Sequence, residues 1–498
     1  MQQQIDALLK QYAEWLFVAG EGETQSLRRS EIDVAVVHDR LVLSCFTERG
    51  SRTWRILDWQ WNGRELVLNV SRRMGAERTR LELIPRVSAT AIAATIRAAR
   101  QVRCDRIAKL ACDWQPRATV ERCALSPGTR PRHPGRYARI LLRWKGERIA
   151  VTAPVIPCHP STVDAFLSAS LLWFTRTREL TKPPYIEQLW LILNEELVKA
   201  ACYRVALLRD SLRDIIKLAV VDDDLQTLSP VVLPERAELW RKKLARFPPV
   251  PTARVSDQVR AIVDEAPEAI DVVHARHGQT LRYYGLPFAR VRSLLGVETV
   301  WFGIDAAHRR LLDETSLRDW QTLLRDLREH RSASALDHRH AFYRNASEAW
   351  LESLLRRDIT KLDPGLIIAP LHAQFRTAHS GKLGIRPIDL LALRQDGRLV
   401  VIELKASEDR EHVLQGADYW RRVEAHRRRG HIAKAKLFGD RVIRDEPPLV
   451  YLVAPTLRVH PSFQTLARCI STDIALYRFD INEDWRRGVR VMRRVRVN

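Results

Sequence analysis

Two carboxylates and a lysine lie in a strand-turn-strand pattern near the carboxyl end of the sequence. Asp389 is the second residue of the apolar segment Ile388–Leu393. Glu403 and Lys405 lie at the end of the next apolar segment, residues 398–405. Carboxylate oxygens suit Mg²⁺ or Mn²⁺, which keep several waters and accept a substrate phosphate. Such a metal activates water and neutralises transition-state charge, and Lys405 can hold the water, help to deprotonate it, or donate to a phosphate oxygen. These residue types therefore indicate phosphodiester hydrolysis.

The turn between the two strands decides whether these groups share a face. If the Asp-Gly pair alone forms the turn, Asp389 faces away from Glu403 and Lys405. If residues 395–397 form a three-residue loop with Gly397 in the left-handed conformation, Asp389 lies directly opposite Glu403 and on the face of Lys405. Opposed carboxylates in apolar strands repel unless a cation lies between them. We predict the three-residue loop, with a metal supplying the missing charge.

Two predicted helices flank this hairpin. Residues 347–355 have the apolar spacing of an amphipathic helix, with Glu348 and Glu352 one turn apart on one face, so either carboxylate could reach the metal. Residues 411–422 predict a second helix, with Gln415 on a face near the site. An ordinary polar helix face is the alternative interpretation in both places.

The order of these elements resembles the PD-(D/E)XK nuclease superfamily, in which a helix with Glu precedes a strand with Asp, a strand with Glu-x-Lys and a helix with Gln. Residues 347–405 resemble the branch that includes mismatch-type DNA endonucleases, and residues 284–420 are similar to large, uncharacterised bacterial proteins with this core. The sequence departs from the motif in having Pro387-Ile388-Asp389 instead of adjacent Pro and Asp. The resemblance implies a C-terminal α/β restriction-endonuclease-like core, with a central mixed sheet flanked by helices.

The resemblance also implies roles for individual residues. The metal ligands that it implies are the carboxylates of Asp389, Glu403, Glu348 and Glu352. Lys405 would be the catalytic lysine and Gln415 a supporting residue. The pattern slightly favours Glu348 over Glu352 as the helix carboxylate that takes part in catalysis.

These observations predict a metal-dependent endonuclease that hydrolyses phosphodiester bonds, with DNA as the expected substrate and Mg²⁺ or Mn²⁺ as cofactor. The main alternative is a non-cleaving nucleic-acid-binding protein with a nuclease-like fold. A third is a structural or partner-binding protein whose N-terminal region carries the function. The complete set of Asp389, Glu403 and Lys405 favours the enzyme, because a binding module has no need to hold opposed carboxylates.

The charge of the chain agrees with a polyanionic partner. The 498 residues carry 82 Lys and Arg against 60 Asp and Glu, a net charge of +22 that makes binding to nucleic acid salt-sensitive. Half of this excess, +11, lies in residues 331–498, and five arginines cluster in residues 421–429. They fit a solvated helix end as well as a phosphate contact.

The cysteines and apolar segments point to a reduced cytoplasmic protein. The seven cysteines include no Cys-x-x-Cys pair, which argues against a zinc module or a disulfide framework. No basic segment followed by an apolar core begins the sequence, and no uncharged apolar run approaches the ~20 residues that span a bilayer. We therefore predict a cytoplasmic location and no membrane partner, and we leave a homodimer open.

The fold class predicted for the whole chain is α+β multidomain. Four regions are predicted: an N-terminal α+β region 1–155, a mostly helical region 156–250, a small α/β unit 251–335 and a PD-(D/E)XK nuclease-like domain 336–498. Within the second region we predict long helices at 160–176, 184–207 and 209–219. The Pro-containing segment 246–251 is the clearest linker.

Overall fold

The chain forms two compact units. A computed structural model describes residues 2–19, 23–47, 50–72, 77–86, 89–128, 134–156, 158–180, 182–222, 224–240, 247, 255–275, 278–294, 297–305, 309–377 and 386–498. The first unit comprises Met1–Cys202 with Asp214–Leu233, and the second comprises Tyr203–Arg213 with Pro234–Asn498. Apart from Phe247, the linker predicted at 246–251 lies outside the described residues. The division into four regions remains a prediction.

The first unit opens with a short helix and a seven-stranded antiparallel sheet, in the order β2-β1-β7-β6-β5-β4-β3. Alternate residues of β6 are fully buried, which is the period-two pattern of a sheet with one face on the core. The elements are α1 (Gln2–Leu9), β1 (Glu14–Ala19), β2 (Glu23–Arg28), β3 (Ile32–Val37), β4 (Arg40–Thr47), β5 (Gly50–Trp61), β6 (Leu66–Arg72) and β7 (Glu77–Pro85).

A six-stranded mixed sheet follows, in the order β13-β12-β11-β10-β9-β8, with helix α2 packed against β8 and β9. Its strands are β8 (Thr119–Pro127), β9 (Pro134–Trp144), β10 (Glu147–Pro154), β11 (Ile186–Leu193), β12 (Ile216–Val221) and β13 (Leu228–Val231). The helices in this part of the chain are α2 (Ala89–Trp114), α3 (Val163–Leu180), α4 (Glu195–Val205) and α5 (Asp210–Arg213).

The structure corrects the helix predictions in this region. The helix predicted at 160–176 is present as α3. In 184–207, β11 occupies most of the first half and α4 most of the second, and 209–219 contains the short α5 followed by the start of β12. β11 lies between β10 and β12 and is parallel to both, and its consecutive residues Leu189–Leu193 are all buried, so both of its faces are covered. A buried parallel strand is a continuous apolar run without alternation, and periodicity alone cannot distinguish it from a buried helix.

The second unit contains a five-stranded antiparallel sheet in the order β14-β15-β16-β17-β18. Its core is aromatic, with Phe288 of β16 stacked on Trp320 of α7 at 5.8 Å. The elements are α6 (Asp257–Asp264), β14 (Ile270–Ala275), β15 (Gly278–Tyr283), β16 (Leu286–Leu294), β17 (Val297–Phe302), β18 (Arg310–Leu311) and α7 (Leu317–His330).

The second unit also contains a six-stranded mixed sheet, in the order β19-β20-β21-β22-β23-β24. The pairs β19–β20, β20–β21 and β23–β24 are antiparallel, and β21–β22 and β22–β23 are parallel. The strands are β19 (His372–Phe375), β20 (Ile388–Leu393), β21 (Leu399–Leu404), β22 (Leu449–Pro455), β23 (Leu476–Ile481) and β24 (Val491–Arg496). The helices are α8 (Ala341–Arg344), α9 (Ser347–Arg357), α10 (His412–Arg427), α11 (His431–Lys434) and α12 (Phe463–Cys469).

Helices α9 and α10 pack in different cores on this sheet. Trp350 of α9 packs in one core with Leu390 and Ile402, whereas α10 packs in another with Leu391 and Val401. Neighbouring residues of a strand point to opposite faces, so the two helices flank the sheet. The predicted α+β, multidomain class and the C-terminal mixed sheet are confirmed.

None of the helices within the described ranges combines the length and the apolar character that a membrane crossing requires.

Candidate active site

The β20–β21 hairpin has the predicted three-residue loop. Leu390 pairs with Ile402, and the pairing continues to Arg394, whose backbone N–H donates to Arg398 O at 2.9 Å. Gly397 closes the loop with φ +85°, a left-handed conformation that favours glycine. Continued by one residue, this register places Asp389 opposite Glu403. The register prediction is confirmed.

Lys405 supplies a positive charge beside these carboxylates. Its Nζ donates to Glu403 Oε1 at 2.8 Å and lies 3.4 Å from Asp409 Oδ2. Asp389 Oδ2 accepts the backbone N–H of Leu404 at 2.8 Å. Glu403 is only 2% exposed, so water does little to offset the remaining charge.

The electrostatics of this cluster follow from its burial. Burial, together with the charge of Asp389, raises the pKa of Glu403 well above its ordinary value, and Lys405 offsets this only in part. Burial likewise raises the pKa of Asp389, against the opposing effect of the Leu404 N–H. Burial alone would lower the pKa of Lys405, but the carboxylates of Glu403 and Glu348 outweigh it and the pKa is raised. The lysine therefore stays charged beside two carboxyl groups whose burial is only partly compensated.

Two buried acceptors at this end of the sheet lack a donor. Among the described residues no donor reaches Glu403 Oε2 or Gln415 Oε1. Asp389 interacts with Glu403 through a hydrogen bond only when one of the two carboxyl groups carries a proton. Gln415 uses its amide nitrogen to donate to Glu411 Oε2 at 3.2 Å. A cation at Glu403 and a bound water at Gln415 would satisfy both acceptors, and hard oxygen donors suit Mg²⁺.

Glu348, on the first turn of α9, approaches the hairpin. Its carboxylate accepts the backbone N–H of Ala406 and interacts with the charges of Lys405 and Asp389. Burial of the carboxyl raises its pKa, although the residue as a whole retains exposed surface. Glu348 is therefore close to the site, where a backbone donor and the charge of Lys405 stabilise its carboxylate.

Glu352, one turn later, is held more firmly. It is 3% exposed, and Gln374 Nε2 donates to its Oε2 at 2.6 Å. Arg282 Nη1 lies 3.9 Å from its Oε1. Burial raises the pKa of Glu352, and Gln374 and Arg282 act in the opposite direction. Both helix carboxylates also interact with the charge of Asp389, so the structure gathers all of the predicted carboxylates around one site.

The sequence patterns missed several neighbours of this site. Asp409 contacts Lys405, and the buried His412 contacts Glu403 O through Nε2 at 3.2 Å. Burial lowers the pKa of His412 to about 3, so the ring is neutral and Nε2–H donates to that carbonyl. Asp409 lies in the loop after β21, where a four-residue spacing from Lys405 is no signal of contact. Gln374 offered none, because its strand is placed by pairing alone.

The arginine cluster on α10 is largely internal. Its five members are Arg421, Arg422, Arg427, Arg428 and Arg429. The first two contact Asp418 at 2.6 and 3.1 Å, the next two contact Glu424 at 2.6 Å each, and the last donates to Ala425 O at 2.7 Å. Most of these arginines are thus paired inside the fold, which matches neither a solvated helix end nor an open phosphate contact.

The site is not a preassembled metal cage. In the part of the chain that the structure describes, no group of three or more His, Cys, Asp or Glu side chains is arranged to hold a metal ion. Mg²⁺ is commonly bound by one or two carboxylates together with waters and substrate phosphates. The opposed pair Asp389 and Glu403 meets that smaller requirement.

Comparison of the chain with models of known protein families, with curated proteins and with solved structures finds no match. The chemistry of the site therefore has to be argued from its own residues.

Proposed function

We propose that the second unit is a metal-dependent endonuclease that hydrolyses phosphodiester bonds in DNA, with Mg²⁺ or Mn²⁺ as its cofactor. One observation carries this proposal: Glu403 is buried opposite Asp389, and its Oε2 has no donor among the described residues. Burying a carboxylate without full compensation is costly, so the arrangement calls for a cation that binds there. Perturbed carboxyl groups of this kind concentrate at functional sites.

The order of elements supports a restriction-endonuclease-like core. Helix α9 precedes the antiparallel strands β19, β20 and β21, and α10 then leads to β22, which is parallel to β21. This is the order that the PD-(D/E)XK resemblance implies, with Asp389 on β20 and Glu403 on β21. The element order and the site residues thus agree with one another.

Each residue has a distinct part in the proposed chemistry. Asp389 and Glu403 would hold the metal, and Glu348 would join them from α9. When bound, the metal supplies an activated water and neutralises charge on the phosphodiester. Lys405 has a raised pKa, so it acts as a charged donor to a phosphate oxygen or to the water rather than as a proton acceptor. Gln415 has a free acceptor oxygen with which to orient a water.

A polyanionic substrate accounts for the charge of the second unit. Residues 331–498 carry a net charge of +11, and the arginines on α10 use part of it internally. Exposed arginines remain on and just before β24, the edge strand on the other side of the sheet from β19, namely Arg487, Arg490, Arg493 and Arg496. Phosphate contacts of this kind position nucleic acid without reading its sequence.

A non-cleaving nucleic-acid-binding protein is the second candidate, and one observation favours it. The Lys405 ammonium already lies 2.8 Å from Glu403 and 3.4 Å from Asp409, so the site carries a cation without any metal. In that case the basic surface would bind nucleic acid and the carboxylates would serve only the fold.

Cleavage of labelled nucleic acids by the full-length protein separates the two candidates. We expect hydrolysis of DNA with Mg²⁺ or Mn²⁺, none with a chelator, and a rate at least about 100-fold lower for Lys405→Ala. Lys436→Ala removes an exposed lysine that pairs with Asp440, and this control should cleave normally. The opposite result is salt-sensitive binding of single-stranded or duplex DNA or RNA with no cleavage under any metal. It would contradict the enzyme and favour the non-cleaving binding protein.

A further inference from the structure

A row of polar residues crosses three neighbouring strands at the site. β19 pairs with β20 so that Ala373 lies opposite Leu390 and Phe375 lies opposite Ile388. The same register places Gln374 opposite Asp389, as the hairpin places Glu403 opposite Asp389 on the other side. The flanking positions of these strands are mostly apolar, so the polar row is confined to one level of the sheet.

Gln374 connects the helix carboxylate to the strand carboxylate. Its Nε2 donates to Glu352 Oε2 at 2.6 Å. The strand register places the same side chain opposite Asp389, and a hydrogen bond from Gln374 acts against the burial that raises the pKa of the Asp389 carboxyl. With Arg282 beside the other oxygen, both oxygens of Glu352 have a neighbouring donor. Glu352 is therefore engaged in holding its neighbours.

The backbone of Gln374 is unusual. Its φ is +50°, in the left-handed region that residues other than glycine seldom adopt. Such conformations are strained, persist only where the surroundings enforce them, and cluster at functional sites. The conformation at Gln374 accompanies the contact of its amide with Glu352, which ties strand β19 to helix α9.

Helix α9, which carries Glu352, is held rigidly by the preceding sheet. The fully buried Arg331 donates to Tyr284 O at 2.7 Å, and its guanidinium lies 4.8 Å from the ring centroid of Trp350. Tyr284 stacks on the Trp350 ring at 5.3 Å. Gly285 lies so close to α9 that a Cβ there would meet Ala349 O at 2.0 Å. Glu352 is thus a fixed acceptor for the Gln374 amide.

We propose that Gln374 is a positioning residue, held by Glu352, which orients the Asp389 carboxylate for a divalent metal. The inference rests on the proposed function and deepens it, because it gives Glu352 an orienting role and leaves Glu348 as the helix carboxylate that faces the metal. Residues that hold metal ligands in orientation commonly account for 10- to 100-fold in metal affinity.

The test is the affinity of the full-length protein for Mn²⁺, followed by electron paramagnetic resonance without any substrate. Gln374→Met keeps the length of the side chain and removes the amide, and we expect it to weaken Mn²⁺ binding at least about tenfold. Gln374→Gly removes the amide and suits the left-handed backbone, so it should weaken binding equally without straining the strand. Glu352→Gln should have a smaller effect, and combining it with Gln374→Met should add little.

The control is Gln188→Met, which removes another half-buried strand amide, one that accepts from Trp190 in the first unit. It should leave Mn²⁺ affinity unchanged. Wild-type affinity in either folded Gln374 variant would overturn the positioning role while leaving the metal site intact. Absence of Mn²⁺ binding by the wild-type protein would instead overturn the proposed function, and the positioning role with it.

Discussion

Buried carboxylates occur on helix α10 and on the neighbouring strands β20 and β21 of the second unit. The two sets differ in how many positively charged side chains contact them. On α10, Asp418 is contacted by Arg204, Arg421 and Arg422 at 2.6–3.1 Å. Burial would raise the pKa of Asp418, but the three arginines outweigh it and hold the pKa well below its usual range. Six residues further along, the fully buried Glu424 pairs with two more arginines.

In the adjacent sheet, two opposed carboxylates share one lysine. The pKa values of Asp389 and Glu403 are raised, and Glu403 Oε2 has no donor among the described residues. A fully compensated carboxylate serves the architecture, whereas an under-compensated pair retains capacity for a cation. The difference suggests where the second unit is built for stability and where it is built for chemistry.

The largest expected effect is a loss of stability when the carboxylate of Asp418, which pairs with three arginines, is removed. Asp418→Asn leaves three arginines clustered without a carboxylate, and we expect it to lower the free energy of unfolding by about 3–5 kcal/mol. Urea unfolding followed by tryptophan fluorescence measures this. Asp445→Asn is the control, because Asp445 pairs with Arg427 but is fully exposed and should change stability by less than about 0.5 kcal/mol. If Asp418→Asn leaves the free energy of unfolding unchanged, the proposed difference between the carboxylates of α10 and those of the sheet is contradicted.

The second largest effect should be the loss of DNA cleavage when the Lys405 ammonium is removed. Lys405→Met removes the charged donor, and we expect the rate of DNA cleavage in saturating Mg²⁺ to fall by about 10²- to 10³-fold. The pH–rate profile gives a second readout. The raised pKa of Lys405 keeps it protonated, so the wild-type profile should show no lysine deprotonation below pH 9. A near-normal rate in the variant would exclude Lys405 from the reaction.

The two helix carboxylates should differ in importance. We expect Glu348→Gln to lower Mg²⁺-dependent turnover by about 100-fold and Glu352→Gln by about tenfold, since Glu352 is engaged by Gln374 and Arg282. Steady-state cleavage across a range of Mg²⁺ concentrations distinguishes them, because a lost ligand cannot be fully rescued by more metal. If neither substitution matters, the metal site is confined to the hairpin.

The smallest effect should be a gain in stability. In Asp389→Asn the new amide can donate to Glu403 and still accept from the Leu404 N–H, so we expect the metal-free protein to gain about 1 kcal/mol at pH 8. In the folded wild-type protein the pKa values of Asp389 and Glu403 lie above their ordinary values of 3.8 and 4.5. The protonated carboxyl pair therefore stabilises the folded protein fully when the pH is below the ordinary pKa values. This stabilisation is lost as the pH rises through the raised pKa values of Asp389 and Glu403. Thermal unfolding with a chelator should show the gain at pH 8 and little at pH 4, and a loss at pH 8 would contradict this account.

Local patterns were sufficient to predict the hairpin and its helices. The Asp-Gly turn and the spacing of Asp389, Glu403 and Lys405 determine one register that gathers the polar groups, and apolar periodicity marks α9 and α10. These features depend on residues close together in the sequence. The restriction-endonuclease-like identity of the core and the metal itself remain proposals.

Features set by distant pairing could not be predicted in the same way. Gln374 and Arg282 reach Glu352 from strands whose positions depend on contacts between separate parts of the chain. The apolar run of β11 fits a buried helix as well as a buried strand until its parallel neighbours are known. The arginines of α10 could not be assigned to Asp418 and Glu424 from composition alone, because the same residues on an exposed face would contact phosphate.

The most direct test of the central claim is Mn²⁺ binding to the full-length wild-type protein and to Asp389→Asn at pH 7.5, measured by electron paramagnetic resonance. If the under-compensated pair is a divalent-metal site, the wild-type chain should bind one Mn²⁺ that Mg²⁺ displaces. Asp389→Asn should remain folded, gain stability without metal and bind Mn²⁺ at least about tenfold more weakly. Equal Mn²⁺ affinity in the two proteins would contradict the claim that Asp389 and Glu403 form the metal site.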